Sequence, residues 1–187
     1  MAMRIDDVAK LNLVPQDPAS LKELLAAGKK LPPDATALLM QDHAEVKAKF
    51  LQYQTEKSKQ IKSVLAAKIC TALTVHAQIE EAIFYPEAER AIEEDDQIDE
   101  AVEEHAQMKE QIARIMEGMG ARKSIDSGVK KLMQLVEHHV QEEESEMFPD
   151  MRETETDLYS LGGQLAARRA EAFMSLKRSI EGVEAKL

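Results

Sequence analysis

The chain has 187 residues and a formal net charge of −11, from 24 basic and 35 acidic side chains. An acidic surface of this kind repels nucleic-acid phosphates and anionic membranes, so we expect neither as a partner. The apolar runs are far shorter than the ~20 residues of a membrane span, and we expect no signal peptide. The single cysteine, Cys70, excludes an internal disulfide and favours a reducing, cytoplasmic location.

Start and stop signals divide the first part of the chain. Residues 1–33 are predicted to be an N-terminal extension with one short helix, because an Asp-Pro start is followed by a closing glycine. Asp34 then caps a long segment that contains no Gly or Pro before Pro86. One helix of that length would be unusual in a small domain. We therefore predict a turn at residues 55–59, with Ser58 as the cap of a second helix.

The next part of the chain repeats this arrangement. An acidic turn leads into a third helix that ends at Gly118 and Gly120, and residues 124–127 offer caps for a fourth. Pro86 and Pro149 are predicted to end the second and fourth helices or, at Pro86, to kink the chain. No β-alternation of any length occurs. The predicted fold class is therefore all-α, an up-down-up-down four-helix bundle.

The predicted bundle spans residues 34–150. Residues 151–187 form a C-terminal extension, in which Gly162-Gly163 breaks the chain before a last amphipathic helix at about 164–180. We expect this helix to pack on the bundle. The alternative is that it contacts a partner or a second copy of the chain, which would give a homo-oligomer.

One motif occurs twice in the chain. In each copy a His is followed four residues later by a Glu, and an aromatic residue precedes the closing proline. The copies run from His76 to Pro86 and from His139 to Pro149, and a further His lies upstream of each. Four residues turn a helix by about 400°, so the His and Glu of each copy share one face. Each of two helical hairpins therefore presents one lone His and one His–Glu pair.

These faces are also the apolar faces of the predicted helices. A single His on such a face is usually a packed core residue, but four of them with two Glu form a different pattern. Burying a carboxylate without compensation costs several kcal/mol per ion, so a cation is required. We therefore predict a metal site. The candidate ligands are His43, His76, Glu80, His105, His139 and Glu143.

The chemical types of the candidate ligands limit which metal ions the site would bind. A structural zinc site needs only four ligands and favours thiolates, and calcium and magnesium prefer oxygen ligands. Mixed imidazole and carboxylate ligands favour iron, with manganese as the alternative. Six ligands suit two ions that share the carboxylates. In the arrangement that the repeat suggests, one ion takes His43 and His76, the other takes His105 and His139, and Glu80 and Glu143 bridge both.

The chain resembles the hemerythrin-like, HHE cation-binding proteins over about residues 34–150. The segments that carry the resemblance are LLMQDHAEVKAKF, HAQIEEAIFYPEAE, EEHAQMK and HHVQEEESEMFP. The resemblance implies a four-helix bundle around a non-haem di-iron centre with an oxo or hydroxo bridge. Ferritin-like proteins use Glu-x-x-His instead, and the order and spacing here differ from that pattern.

The chain departs from the oxygen-carrying members at one position. Those proteins have a fifth His one turn after the His of the third helix, where this chain has Lys109. His138 is about 100° off the ligand face, so it is not expected to replace that ligand, and a solvent species is expected instead. Both ions would then be open, which favours chemistry on dioxygen, peroxide or nitric oxide over reversible carriage. The alternative is an oxygen- or iron-binding or sensing module without turnover.

The remaining residues near the motifs are predicted to have structural roles. Tyr85 is expected to pack near a helix end. The acidic run 142–146 is expected to be solvated apart from Glu143. Asp42 and Glu104 each precede a candidate ligand but point about 100° away from it, so we expect neighbouring helices to orient the ligand histidines.

Overall fold

The structure is a computed structural model that describes residues 33–92, 96–121 and 123–184, with side chains up to residue 176. Helices account for nearly all of these residues, and no strand occurs among them. The short helix predicted in the N-terminal extension lies outside the described ranges. No helix in the described part of the chain combines the length and the apolar character needed to cross a membrane.

The helices follow one another with short connections, and two of them continue through single turns of π-helix, here called π1 and π2. In chain order the elements are α1 (Ala35–Thr55), α2 (Lys59–Ile79), π1 (Glu80–Phe84), α3 (Tyr85–Ala91), α4 (Asp96–Gly120), α5 (Asp126–Glu142), π2 (Glu143–Met147), α6 (Phe148–Glu153) and α7 (Leu158–Glu184).

Successive long helices run antiparallel. His43 in α1 lies against His76 near the end of α2, whereas Tyr53, further along α1, meets Lys62 near the start of α2. The contacts between α4 and α5 show the same reversal. The prediction of an up-down-up-down four-helix bundle is therefore confirmed.

The bundle core is mostly aliphatic, as the low aromatic content leads one to expect. Each of the four long helices contributes side chains to it, so the bundle is closed by one continuous apolar cluster. Its buried members are Val46, Phe50, Tyr53, Ala66, Ile69, Cys70, Leu73, Met108, Ile115, Val129, Leu132 and Val136.

Several helix ends match the sequence signals. The Asp34 side chain accepts a hydrogen bond from the Ala37 N–H at the start of α1, and Ser58 caps α2 by accepting from the Ile61 N–H. α4 ends at Gly120. The start of α5 is different, because the residue before it is Ile125 and no side chain caps it.

Neither proline ends its helix, so the predicted end is wrong at Pro149 and, of the two alternatives, at Pro86. In π1 the N–H of Tyr85 bonds to the carbonyl of Glu80, an i+5 to i bond, and the chain then continues as α3. The proline falls in the first turn of α3, where a missing N–H donor is tolerated. The second copy repeats this arrangement with π2 and α6.

The glycine pair in α7 does not break the chain either. α7 begins at Leu158 and runs through Gly162 and Gly163. A Cβ on Gly162 would lie 2.4 Å from the carbonyl oxygen of Pro33, so the glycine is needed for close backbone packing. That packing overrides the poor helix propensity of glycine.

The described residues form two compact units. One is Leu39–Thr156, and the other contains the described parts of Met1–Leu38 and Asp157–Leu187. Every residue of the candidate site described below lies in Leu39–Thr156. Packing of the C-terminal helix on the bundle stays a prediction, as does the alternative that it contacts a partner or a second copy of the chain.

Candidate metal centre

The structure brings all six candidate ligands together inside the bundle. They come from α1, α2 with π1, α4, and α5 with π2, and all six residues are buried, with none more than 6% exposed. The two Glu residues begin the π turns, directly after the helices that carry their His partners. The buried set is His43, His76, Glu80, His105, His139 and Glu143.

The first repeat supplies one end of the cluster. The Nε2 atoms of His43 and His76 face each other at 2.9 Å. Glu80 Oε1 lies 3.1 Å from His76 Nε2, and Glu143 Oε2 lies 3.3 Å from His43 Nε2. These four side chains offer donor atoms that all lie within 4.8 Å of one another, so they could hold one metal ion.

The second repeat supplies the other end. The Nε2 atoms of His105 and His139 face each other at 3.1 Å. Glu80 Oε2 lies 3.4 Å from His105 Nε2, and Glu143 Oε2 lies 3.4 Å from His139 Nε2. Each carboxylate therefore touches an imidazole of both pairs. That is the placement expected of a group that two ions share.

The outward nitrogens of the lone histidines are held by carboxylates of the opposite repeat. His43 Nδ1 lies 2.9 Å from Glu144 Oε1, and His105 Nδ1 lies 2.8 Å from Glu81 Oε1. In both cases the partner is the residue directly after a buried Glu. The sequence reading of Glu144 as part of a solvated face is therefore wrong, because its carboxylate reaches across to the neighbouring helix.

The histidines of the two His–Glu pairs, His76 and His139, face carboxylates of their own repeat through Nδ1. His139 Nδ1 lies 2.9 Å from Glu104 Oε2, and His76 Nδ1 lies 3.6 Å from Asp42 Oδ2. Asp42 and Glu104 point away from the histidines that follow them, as predicted, but each faces the histidine on the next helix. A carboxylate that accepts a hydrogen bond from Nδ1 fixes the proton there and turns the Nε2 lone pair inward. The contact between His76 and Asp42 is longer than a hydrogen bond, so it is an ion-pair contact only.

The interior of the cluster is chemically incomplete without a cation. Two Nε2 lone pairs at about 3 Å repel each other unless a proton or a metal ion lies between them. Glu80 Oε1 and Oε2 and Glu143 Oε2 are buried and accept no hydrogen bond. Buried polar atoms are nearly always paired, so these groups fit a metal that binds all of them.

The electrostatics of the cluster also favour positive charge. Burial lowers the pKa of His76, but the negative charges of Glu80 and Glu143 and the close contact with Asp42 outweigh it and raise that pKa to about 10. Burial raises the pKa of Glu80, but His76 and His105 hold it well below its usual range. Both directions reflect the attraction between the imidazoles and the carboxylates, in which positive charge compensates the buried Glu80.

Comparison with known proteins gives the family. The model of the Hemerythrin HHE cation binding domain matches residues 34–151, which is more than half of the chain. The chain belongs to the hemerythrin HHE cation-binding family. The resemblance predicted from the two motifs is therefore confirmed.

Among solved structures, this HHE chain is similar to a Hemerythrin HHE cation binding domain-containing protein from Mycobacterium kansasii. The two are 22% identical with a TM-score of 0.67, over 80% of this chain and 93% of that chain. At this identity the likeness shows a shared fold. No match was found among curated proteins.

A tyrosine that sequence reasoning had assigned to packing lies in the centre of this HHE chain. The Tyr85 hydroxyl donates to Glu143 Oε1 at 2.9 Å and lies 3.2 Å from His105 Nε2, and the side chain is 3% exposed. The i+5 bond of π1 returns Tyr85 to the face of Glu80. A prediction that assumes about 3.6 residues per turn throughout the helix does not place Tyr85 on the face of Glu80. Burial and the nearby carboxylates raise the pKa of Tyr85 well above its usual value, which keeps the hydroxyl protonated.

The second repeat has Phe148 at the position that corresponds to Tyr85. Its ring stacks on His43 with centroids 5.8 Å apart and is fully buried. One end of the HHE centre therefore has an O–H donor and the other has an apolar ring. The motif itself carries the signal for this difference, because Tyr-Pro closes the first copy and Phe-Pro closes the second.

Lys109 and His138 both lie outside the centre. The ammonium of Lys109 pairs with both oxygens of Glu81 at 2.6 Å. The side chain of His138 is 62% exposed and faces Glu104 and Glu142. Neither side chain joins the six buried residues.

Proposed function

We propose that the buried cluster holds two iron ions, with manganese as the alternative metal. The supporting observation is the convergence of four inward Nε2 atoms on two carboxylates that touch both pairs. Imidazole with carboxylate is a donor set that suits iron and manganese. One ion would be held by His43 and His76, the other by His105 and His139, with Glu80 and Glu143 shared.

We further propose that the centre acts on a small ligand, namely dioxygen, peroxide or nitric oxide, and does not merely carry it. A bound di-iron pair supplies binding and electron exchange for such ligands. With Lys109 in place of a fifth His, neither ion would be saturated by protein ligands. The open positions would be filled by solvent until a ligand arrives.

Tyr85 supports chemistry over carriage. Its hydroxyl donates to Glu143 Oε1 and lies 3.2 Å from His105 Nε2, so it could donate to a ligand at that end of the centre by exchanging its bond to Glu143 for one to the ligand. A buried, protonated phenol can also supply and recover a proton without admitting bulk water. Phe148 offers no proton at the other end. This asymmetry favours proton-coupled conversion of peroxide as the first activity to test.

The test of the function compares metal content with turnover. The full chain is loaded anaerobically with Fe²⁺ and desalted. Iron per chain is then measured, followed by the loss of added hydrogen peroxide or nitric oxide. We expect bound iron and steady loss of one of the two ligands. Peroxide would be lost by disproportionation to water and dioxygen, which needs no outside reductant, and nitric oxide by reduction when an electron donor such as ascorbate is added. A reversible change of the absorption spectrum in air with no loss of either ligand would support the binding or sensing alternative, and absent iron would refute both.

We also propose that the protein acts in a reducing, cytoplasmic setting. Its single thiol, Cys70, is buried in the bundle core, and burial raises the pKa of that thiol to about 11. A neutral, buried thiol of this kind is chemically inert. We propose no nucleic-acid or membrane partner.

A further inference from the structure

A second group of metal-binding side chains lies on the surface beside the buried centre. His138 Nε2 is 3.5 Å from Glu104 Oε1 and 3.4 Å from Glu142 Oε1. One donor atom of each of the three residues falls within 4.8 Å of the others. We propose that His138, Glu142 and Glu104 form a third site, which binds Zn²⁺ in preference to Fe²⁺.

The distances match those of ligands on a common ion. Two ligand atoms that are each ~2.1 Å from one ion, at a tetrahedral angle, are about 3.4 Å apart. His138 and Glu142 are four residues apart on α5 and share one face, which is the spacing that helical metal sites use. One imidazole and two carboxylates leave room for a solvent ligand, as in open zinc sites.

One of the three ligands is already held in place. Glu104 Oε2 accepts a hydrogen bond from His139 Nδ1 at 2.9 Å, which leaves Oε1 directed toward His138. The Glu104 side chain is 12% exposed, whereas that of His138 is 62% exposed, so an ion could reach the group from solvent. Glu104 would then contact the surface ion through one oxygen and a ligand of the buried centre through the other.

The first repeat carries no metal-binding side chains at the positions of His138 and Glu142. His138 and Glu142 correspond there to Val75 and Ile79, which are 1% and 0% exposed. The second repeat thus has an imidazole and a carboxylate where the first has two buried aliphatic side chains. A surface ion pair between a protonated His138 and its two Glu neighbours is the competing explanation.

The test is a titration of the full chain with Zn²⁺, followed by calorimetry and by metal analysis after desalting. Wild type is compared with His138→Ala and Glu142→Gln, and Glu137→Gln, an exposed carboxylate on the same helix, is the control. Losing an outer partner of a ligand typically weakens metal binding ~10- to 100-fold, so losing a ligand should do at least that. We expect wild type and Glu137→Gln to bind one more Zn²⁺ per chain than the other two variants.

This difference does not depend on how the buried centre is occupied, because every variant retains the six buried residues. Iron content and melting temperature are measured alongside and should be equal in all four proteins. Equal zinc stoichiometry in wild type and His138→Ala, with dissociation constants within about twofold, would refute the third site and favour the ion pair. Loss of zinc in Glu137→Gln as well would also refute it.

Discussion

The two repeats of the bundle share one arrangement of buried side chains and differ in the residues around it. Both place a lone His, a His–Glu pair and two supporting carboxylates at the same positions. Only the first has a hydroxyl at the centre, from Tyr85, where the second has Phe148. In addition, Lys109 pairs with Glu81, whereas Lys47, its counterpart, forms no ion pair in the described part of the chain.

The shared positions and the different positions have separate roles. What the repeats have in common is the set of buried nitrogens and oxygens that could hold two ions. What differs is the supply of protons, the charge around the supporting carboxylates and the surface group at His138. We infer that the duplicated residues bind the metal, and that the divergent ones determine what the bound metal does.

The largest expected effect comes from removing a histidine ligand that occurs in both repeats. His76→Ala and His139→Ala should lower iron content equally, because each removes one of the two imidazoles at its end of the centre. His138→Ala should leave iron content unchanged, since its side chain faces solvent. Iron per chain after anaerobic loading and desalting measures this. If His138→Ala lost as much iron as His139→Ala, the assignment of helix faces would be wrong.

The next largest effect is expected at Tyr85, whose hydroxyl has no counterpart in the second repeat. Tyr85→Phe should retain iron but lower the rate of peroxide removal ~100-fold, the smaller end of the range for a lost proton donor. Tyr53→Phe is the matched control, because Tyr53 is also buried but bonds to Asp126. Peroxide loss at equal iron content is the measurement. An equal loss in both variants, or none in Tyr85→Phe, would remove the proposed role of the hydroxyl.

A smaller effect is expected from the carboxylates that contact Nδ1 of the lone histidines in both repeats. Glu81→Gln and Glu144→Gln should each weaken iron binding about tenfold, because each removes the charge that fixes a lone histidine through Nδ1. Competition with a chelator gives the affinities. A control is Glu146→Gln, an exposed neighbour in π2. The prediction fails if the control weakens binding as much as the two test variants.

The smallest effect lies far along the bundle from the centre. Asp126 bonds to Tyr53 and pairs with Lys62, and these hydrogen bonds hold its pKa below the usual value. A lowered folded-state pKa stabilises the fold above the unfolded pKa of about 3.9, and this contribution disappears as pH falls through the folded value. Because Asp126 is largely exposed, Asp126→Asn should cost only about 0.5 kcal/mol at pH 7.

Iron content should not change in Asp126→Asn, and chemical unfolding at pH 7 and pH 3 gives the stability difference. The difference between wild type and variant should shrink at the lower pH. A difference that grows as pH falls would contradict the assigned sign, and a loss of iron would show that the centre depends on this distant contact.

The sequence predicts the bundle and the cluster because both depend on local signals. Ser58 caps α2 where the periodicity fails, and the i, i+4 spacing of His76 and Glu80 places both on one face. These signals need no knowledge of the neighbouring helices. The same reasoning applies to His139 and the Glu that follows it.

The sequence reading failed where the helix changes its pitch or where a contact crosses between helices. Pro86 was expected to end a helix, but the π turn absorbs it and turns Tyr85 into the centre. The roles of Glu81 and Glu144 depend on which helices are neighbours, which single-helix periodicity does not contain. The glycine pair at Gly162 was read as a break because its close approach to Pro33 depends on tertiary packing.

If two metal ions lie between the four inward imidazoles, crystals of the iron-loaded chain, measured on both sides of the iron absorption edge, should reveal both. We expect two anomalous peaks, one between His43 and His76 and the other between His105 and His139, with Glu80 and Glu143 contacting both. A single peak, or no peak among these side chains in crystals that contain iron elsewhere, would contradict it.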